Sequence, residues 1–157
     1  MEKSLIISYD EYESMAELPE EDRNLMQHAL GATESAYVPY SHFRVGAAIR
    51  LGDGTIVEGS NQENLAYPSG LCAERTAMFA ASARYPEAAM EALAVVGVNP
   101  KGELTEAAPC GACRQVMAEY EGRQGRKMRI LTYLEGGKIR VFDGVECLLP
   151  FIFQAEF

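Results

Sequence analysis

Residues Leu93–Val98 form an unbroken apolar run of strand length. A strand with one wet face alternates apolar and polar residues, whereas one that is apolar throughout needs cover on both faces. The run therefore predicts the middle strand of a covered sheet, and three flanking segments can supply the cover. Pro19-Glu20-Glu21-Asp22 reads as a helix start, with Pro in the first turn and acids facing the positive end of the dipole. The helix continues with apolar rows at Leu25, Ala29, Thr33, Ala36 and at Met26, Leu30, Tyr37, and must end before Pro39. An Ala-rich helix runs from about Leu71 to Arg84, and a third starts after Pro109 and reaches about Glu121.

The remaining strands come in pairs. Val45–Arg50 and Ile56–Gly59 flank Leu51-Gly52-Asp53-Gly54, and Met128–Leu134 and Lys138–Phe142 surround Glu135-Gly136-Gly137. Both read as β-hairpins. A short strand is expected at Leu5–Tyr9 and a short final helix at Val145–Leu149. The order α-β-β-α-β-α-β-β-α predicts an α/β fold, a three-layer α/β/α sandwich with a mixed five-stranded sheet. The chain has 157 residues, enough for one domain with a real core. Residues 1–18 read as an N-terminal extension and 19–157 as the domain.

Composition narrows the function. A net charge of −9 counts against a polyanionic ligand such as a nucleic-acid backbone. The richest basic stretch, Arg123, Arg126, Lys127 and Arg129, falls between two predicted elements and reads as a solvated loop. No apolar run approaches the roughly 20 residues that span a bilayer. Met1-Glu2-Lys3-Ser4 leads only into Leu5-Ile6-Ile7, too short for a secretory h-region. A cytoplasmic protein without a membrane partner is expected, and in that reducing compartment clustered cysteines point to metal or catalysis rather than disulfides.

The cysteines are Cys72, Cys110, Cys113 and Cys147. Cys110-x-x-Cys113 alone is compatible with redox chemistry, structural zinc or chance. Its place at a predicted helix start adds weight, because a helix N-terminus stabilises thiolates. Cys72 also opens a helix, so the three can meet at the ends of two neighbouring helices, with Glu74 two residues past the first. Three protein ligands plus an open position is the arrangement of a catalytic zinc, whereas a closed site with Cys147 as fourth ligand would activate no water. Cys147 has no neighbouring ligand pattern and reads as a buried apolar residue. His28 and His42 are not needed once three cysteines fill the site.

Five ordered stretches carry a family likeness: Tyr37-Val38-Pro39-Tyr40-Ser41-His42-Phe43-Arg44-Val45-Gly46-Ala47-Ala48; Asn61-Gln62-Glu63-Asn64; Cys72-Ala73-Glu74-Arg75-Thr76-Ala77; Pro109-Cys110-Gly111-Ala112-Cys113-Arg114-Gln115; and Leu148-Leu149-Pro150. On these the sequence resembles the small, homotetrameric, zinc-dependent cytidine deaminases over about residues 22–153. The resemblance implies one Zn²⁺ per subunit on Cys72, Cys110 and Cys113, with Glu74 as proton shuttle for deamination of cytidine and 2′-deoxycytidine in pyrimidine salvage. It implies that Asn61 and Glu63 hold the sugar hydroxyls, Phe43 packs on the pyrimidine, and the Ala73 N–H fixes the base carbonyl edge. Phe153 would cover the base in an adjacent subunit.

Arg75 has a direct physical rationale. Three thiolates around Zn²⁺ leave a net charge of −1, and a guanidinium bonded to them draws charge away and restores the metal's acidity. An unphosphorylated nucleoside is expected, since the pocket motifs show no phosphate clamp. The sequence departs from the family in its longer N-terminus, in Gln62 where an apolar residue is common, in a stretch enlarged around Ala83–Met90, and in Phe151-Ile152 before Phe153.

Overall fold

The computed structural model describes residues 1–155. In chain order the main elements are β1 (Asp10–Tyr12), α1 (Glu20–Ala32), β2 (Arg44–Leu51), β3 (Ile56–Ser60), α2 (Ala73–Arg84), β4 (Met90–Val98), β5 (Leu104–Thr105), α3 (Gly111–Gln124), β6 (Arg129–Tyr133) and β7 (Ile139–Asp143). The strands form one mixed sheet in the order β1-β7-β6-β4-β2-β3, with β5 paired to β4. Among the described strands β4 and β6 alone pair in parallel, and α3 lies between them in sequence as the crossover a parallel pair needs. The strand built on Leu93–Val98 is central, as its composition demands.

Alternation along the strands separates two apolar clusters. Leu25, Met26 and Ala29 of α1 pack with Ala48, Ala92, Ala94, Val96 and Leu131. Ala73, Ala77 and Met78 of α2 and Cys113 and Met117 of α3 pack instead with Ala47, Ile49, Leu93, Val95 and Ile130. Neighbouring residues of β2 and β4 thus enter different clusters, which is the period-2 geometry of a strand covered twice. Both helices that carry the cysteines belong to the second cluster.

Among the described residues the sheet has seven strands, not the expected five. The five predicted ones form its body, and β1 and β5 are short additions at Asp10–Tyr12 and Leu104–Thr105. The strand expected at Leu5–Tyr9 is displaced to Asp10–Tyr12, while Leu5 and Ile6 stay exposed at 60% and 86%. Charge explains the choice. Glu11 lies opposite Arg140 in the register and also bonds Lys138, while Tyr12 packs on the core of the α1 face. The final helix is only a 3₁₀ turn, Val145–Cys147.

Two glycines let helices approach the sheet closely. A Cβ on Gly59 of β3 would lie 2.4 Å from the Ala77 nitrogen and 2.8 Å from the Ala73 oxygen, both backbone atoms of α2. A Cβ on Gly46 of β2 would lie 2.0 Å from the Ala29 oxygen of α1. Backbone cannot yield as a flexible side chain does, so overpacking here costs at least about 1–3 kcal/mol. Gly59→Ala is expected to lower the melting temperature by several degrees, on the scale of roughly 2–4 °C per kcal/mol. Gly122→Ala, a helical position with nothing within 4 Å, is the control and should be neutral or stabilising. Thermal unfolding of the two variants beside the parent checks both.

Candidate active site

Cys72 caps α2 and Cys110 caps α3, each with extended backbone (ψ 154° and 168°), and Cys113 lies one turn into α3. Their sulfurs all fall within 4.8 Å of one another. Cys72 Sγ and Cys110 Sγ are 3.6 Å apart, and Cys110 Sγ and Cys113 Sγ are 3.5 Å apart. Thiolates at about 2.3 Å from a tetrahedral zinc are roughly 3.8 Å from one another, so the trio matches three corners of such a site. The donor set, three soft sulfurs at two positive helix ends, fits zinc in its chemistry as well.

The electrostatics follow from the same positions. Cys72 is drawn down to about 5 by a hydrogen bond from Cys113, helped by the Arg75 guanidinium, while that bond and burial push Cys113 up. Arg75 Nη2 donates to Cys72 Sγ at 3.6 Å, and its buried Nε has no partner among the described residues, leaving a donor to spare beside the sulfurs. Glu74 is buried in the first turn of α2. Burial first, and then the charge of Cys72, pushes its carboxyl up to about 7, where it can both take and give a proton near neutral pH.

A pocket of about 570 Å³ opens beside the trio, lined among others by Ser41, Asn61, Glu63, Tyr67, Cys72 and Arg75. Asn61 Oδ1 accepts from the Val45 N–H at 2.8 Å, and Asn61 Nδ2 donates to the Phe43 oxygen at 2.9 Å. Glu63 accepts from the backbone N–H of Tyr40 and Ser41 and from the Ser41 hydroxyl. Tyr40 and Tyr67 meet edge to face at the rim, 6.0 Å between centroids.

Of the residues expected from sequence, the structure brings Cys72, Cys110, Cys113, Arg75, Asn61 and Glu63 to this region, with Ala73 and Glu74 buried in the first turn of α2. Phe43 is half-buried and its ring tip lies close to Gly97 of β4. Phe153 is 82% exposed, with its carbonyl held by Gln115 Nε2 at 2.9 Å. Gln62 reaches Ser60 Oγ and the Ser35 oxygen. Cys147 is outside the trio and donates to the Ser8 oxygen at 3.8 Å. His28 pairs with Glu58 at 2.6 Å. Sequence reasoning gave no role to Ser41, although it stands inside the quoted Tyr40-Ser41-His42 stretch; its only signal was a hydroxyl in a Pro-bounded turn.

Comparisons with known proteins agree with this geometry. The family model for the cytidine and deoxycytidylate deaminase zinc-binding region matches residues 19–125. A cytidine deaminase from Sporosarcina psychrophila is 50% identical over 112 residues, 71% of this chain and 77% of the relative. One from Halalkalibacterium halodurans is 47% identical over 95 residues, 60% of this chain and 68% of the relative. The solved cytidine deaminase from Burkholderia pseudomallei superposes with a TM-score of 0.70 at 41% identity, covering 83% of this chain and 97% of that one.

The placement of Cys147 gives a direct test. Cys147→Ala should retain one zinc per chain by elemental analysis, whereas alanine at Cys72, Cys110 or Cys113 should lose it. Loss of zinc from Cys147→Ala would point to a closed four-cysteine site.

Proposed function

Because the chain belongs to the cytidine and deoxycytidylate deaminase family, we propose that it hydrolyses the 4-amino group of cytidine and 2′-deoxycytidine, giving uridine or 2′-deoxyuridine and ammonia. The observation that carries this reading is the three-cysteine cluster at two helix N-termini with a buried glutamate, outside the cluster, in the first turn of α2. Zinc, when bound, supplies Lewis acidity that brings the ionisation of water close to neutral pH. In this proposal Cys72, Cys110 and Cys113 hold it, and Arg75 bleeds negative charge from the thiolates. Glu74 is the proton carrier: it takes a proton from the attacking water and passes it to N3 of the pyrimidine, then takes the second from the new C4 hydroxyl and passes it to the departing amino group. Asn61 and Glu63 hold the sugar, the Ala73 N–H the base carbonyl, and Phe43 the ring.

The division of helices between the two sheet faces supports the three-layer reading of the fold. Residues 19–157 are assigned as the catalytic domain, and residues 1–18 as an extension whose β1 joins its sheet. The reading extends to a cytoplasmic place, where clustered cysteines serve metal rather than disulfides, and to pyrimidine salvage, which such a reaction would serve.

The defining experiment is ammonia release from cytidine by purified protein, followed by the ultraviolet shift to uridine. Glu74→Gln should keep zinc and fold while losing at least about 10²–10⁴-fold in kcat. A variant retaining a tenth of parental turnover would show that another group moves the protons.

The proposal extends to a homotetramer with shared pockets. Phe151 and Phe153 are 89% and 82% exposed, and such a paired aromatic tail is covered at lower free energy by a neighbouring subunit than by water. Mixing Glu74→Gln chains, which keep the tail, with Phe153→Ala chains, which keep the zinc site, should restore activity above the sum of the parents. No gain, with subunit exchange confirmed by mass, would confine Phe153 to its own chain.

A further inference from the structure

Glu63 is half-buried in the loop after β3, where an unrestrained glutamate would still sample several rotamers. Here three donors fix it. The N–H groups of Tyr40 and Ser41 converge on Oε2 at 3.0 and 3.3 Å, and the Ser41 hydroxyl donates to Oε1. The direction of that last bond is settled by its neighbour. The Phe43 N–H donates to Ser41 Oγ at 3.1 Å, so the serine oxygen is already an acceptor and its one proton is free to face the carboxylate. His42, between the two, takes φ 56°, a left-handed turn that lets the chain fold over the carboxylate.

An ionised carboxylate offers about four acceptor sites. Two sites on Oε2 and one on Oε1 are filled, which leaves a single open site on Oε1, on the oxygen that Ser41 holds. Asn61 is constrained in parallel. Its amide orientation is fixed because Val45 can only donate and the Phe43 carbonyl can only accept, leaving one N–H and one oxygen site unused. The segment Tyr40–Val45 thus orients two of the polar side chains, Asn61 and Glu63, that line the pocket beside Cys72.

We propose that Ser41 is a positioning residue that sets the sugar selectivity of this site, by holding Glu63 with one acceptor site open to a ribose hydroxyl. The proposal rests on the sugar-binding role given to Glu63 above. Without the Ser41 hydroxyl, Oε1 turns to water and the carboxylate keeps only its backbone donors, so a hydroxyl-bearing ligand must reorder it on binding. A ligand without 2′ and 3′ hydroxyls gains nothing from that order and loses nothing with it.

The test compares inhibition constants for uridine and 2′,3′-dideoxyuridine in the full-length zinc enzyme. Ser41→Ala should weaken uridine by on the order of tenfold, the weight of one hydrogen bond to a charged group, with dideoxyuridine within about twofold. The kcat for cytidine should stay within about threefold, since Ser41 touches no group that carries protons. Ser41→Thr, which keeps the hydroxyl, should restore the parental ratio. Glu63→Gln separates the two layers of the argument. If it collapses the uridine preference and Ser41→Ala does not, the positioning role is wrong while the sugar-binding role stands. If Glu63→Gln leaves the preference intact, the sugar-binding role falls and the proposal with it. Equal weakening of both inhibitors by Ser41→Ala, unrescued by threonine, would mean that Ser41 merely supports the loop, and would overturn the proposal.

Discussion

The site depends on how closely α2 can lie on the sheet. Gly59 has no Cβ, so the backbone of α2 rests directly on β3, and Ala73 and Ala77 keep that contact thin. This seat delivers the N-terminus of α2, and with it Cys72, to the level where Cys110 opens α3. A helix displaced outward by even a methyl group would separate sulfurs that now stand 3.6 Å apart. Small residues under a helix are often read as loose packing. Here they set a distance on which metal chemistry relies.

Electrostatics then makes the assembled cluster tolerable. Three sulfurs and a carboxylate in one region of a chain already at −9 repel one another. Two helix N-termini and the Arg75 guanidinium supply the opposing charge, and Glu74, raised first by burial and then by the charge of Cys72, holds its proton to a higher pH. The raised Glu74 carboxyl thus comes chiefly from burial, with the charge of Cys72 adding to it, while the lowered Cys72 thiol comes chiefly from its hydrogen bond with Cys113.

Much of this was legible in the sequence, for physical reasons that differ by residue. The central strand announced itself because burial on both faces leaves no room for polar residues, and the helices because Pro19 and Pro109 mark their starts. Cys72, Cys110 and Cys113 were legible because metal ligation restricts residue type. The edge strands were not. Two or three residues at Asp10–Tyr12 and Leu104–Thr105 carry no period, and their pairing is decided by partners far along the chain, such as Arg140 for Glu11. The Leu5-Ile6-Ile7 run misled for the same reason, since β-propensity is silent about what lies opposite. Ser41 escaped notice because serine in a turn is common, and only geometry reveals that its proton points at a carboxylate.

The first turns of α3 join the metal cluster to the C-terminal tail. Cys110 and Cys113 face the sulfur cluster, while the next two residues turn to the tail. Arg114 bonds the Pro109 oxygen at 2.8 Å and the Leu148 oxygen at 2.7 Å, and Gln115 bonds the Phe153 oxygen. Ile152 packs on the core between two exposed phenylalanines, as Leu148 and Leu149 do before it, so the tail is anchored by aliphatic side chains and by its backbone rather than by its aromatic rings. Such anchoring fixes where the tail runs and leaves Phe151 and Phe153 free for whatever surface lies beyond. The helical turn that holds two of the clustered cysteines thereby also orders the tail, and the cluster and the tail cannot be specified independently.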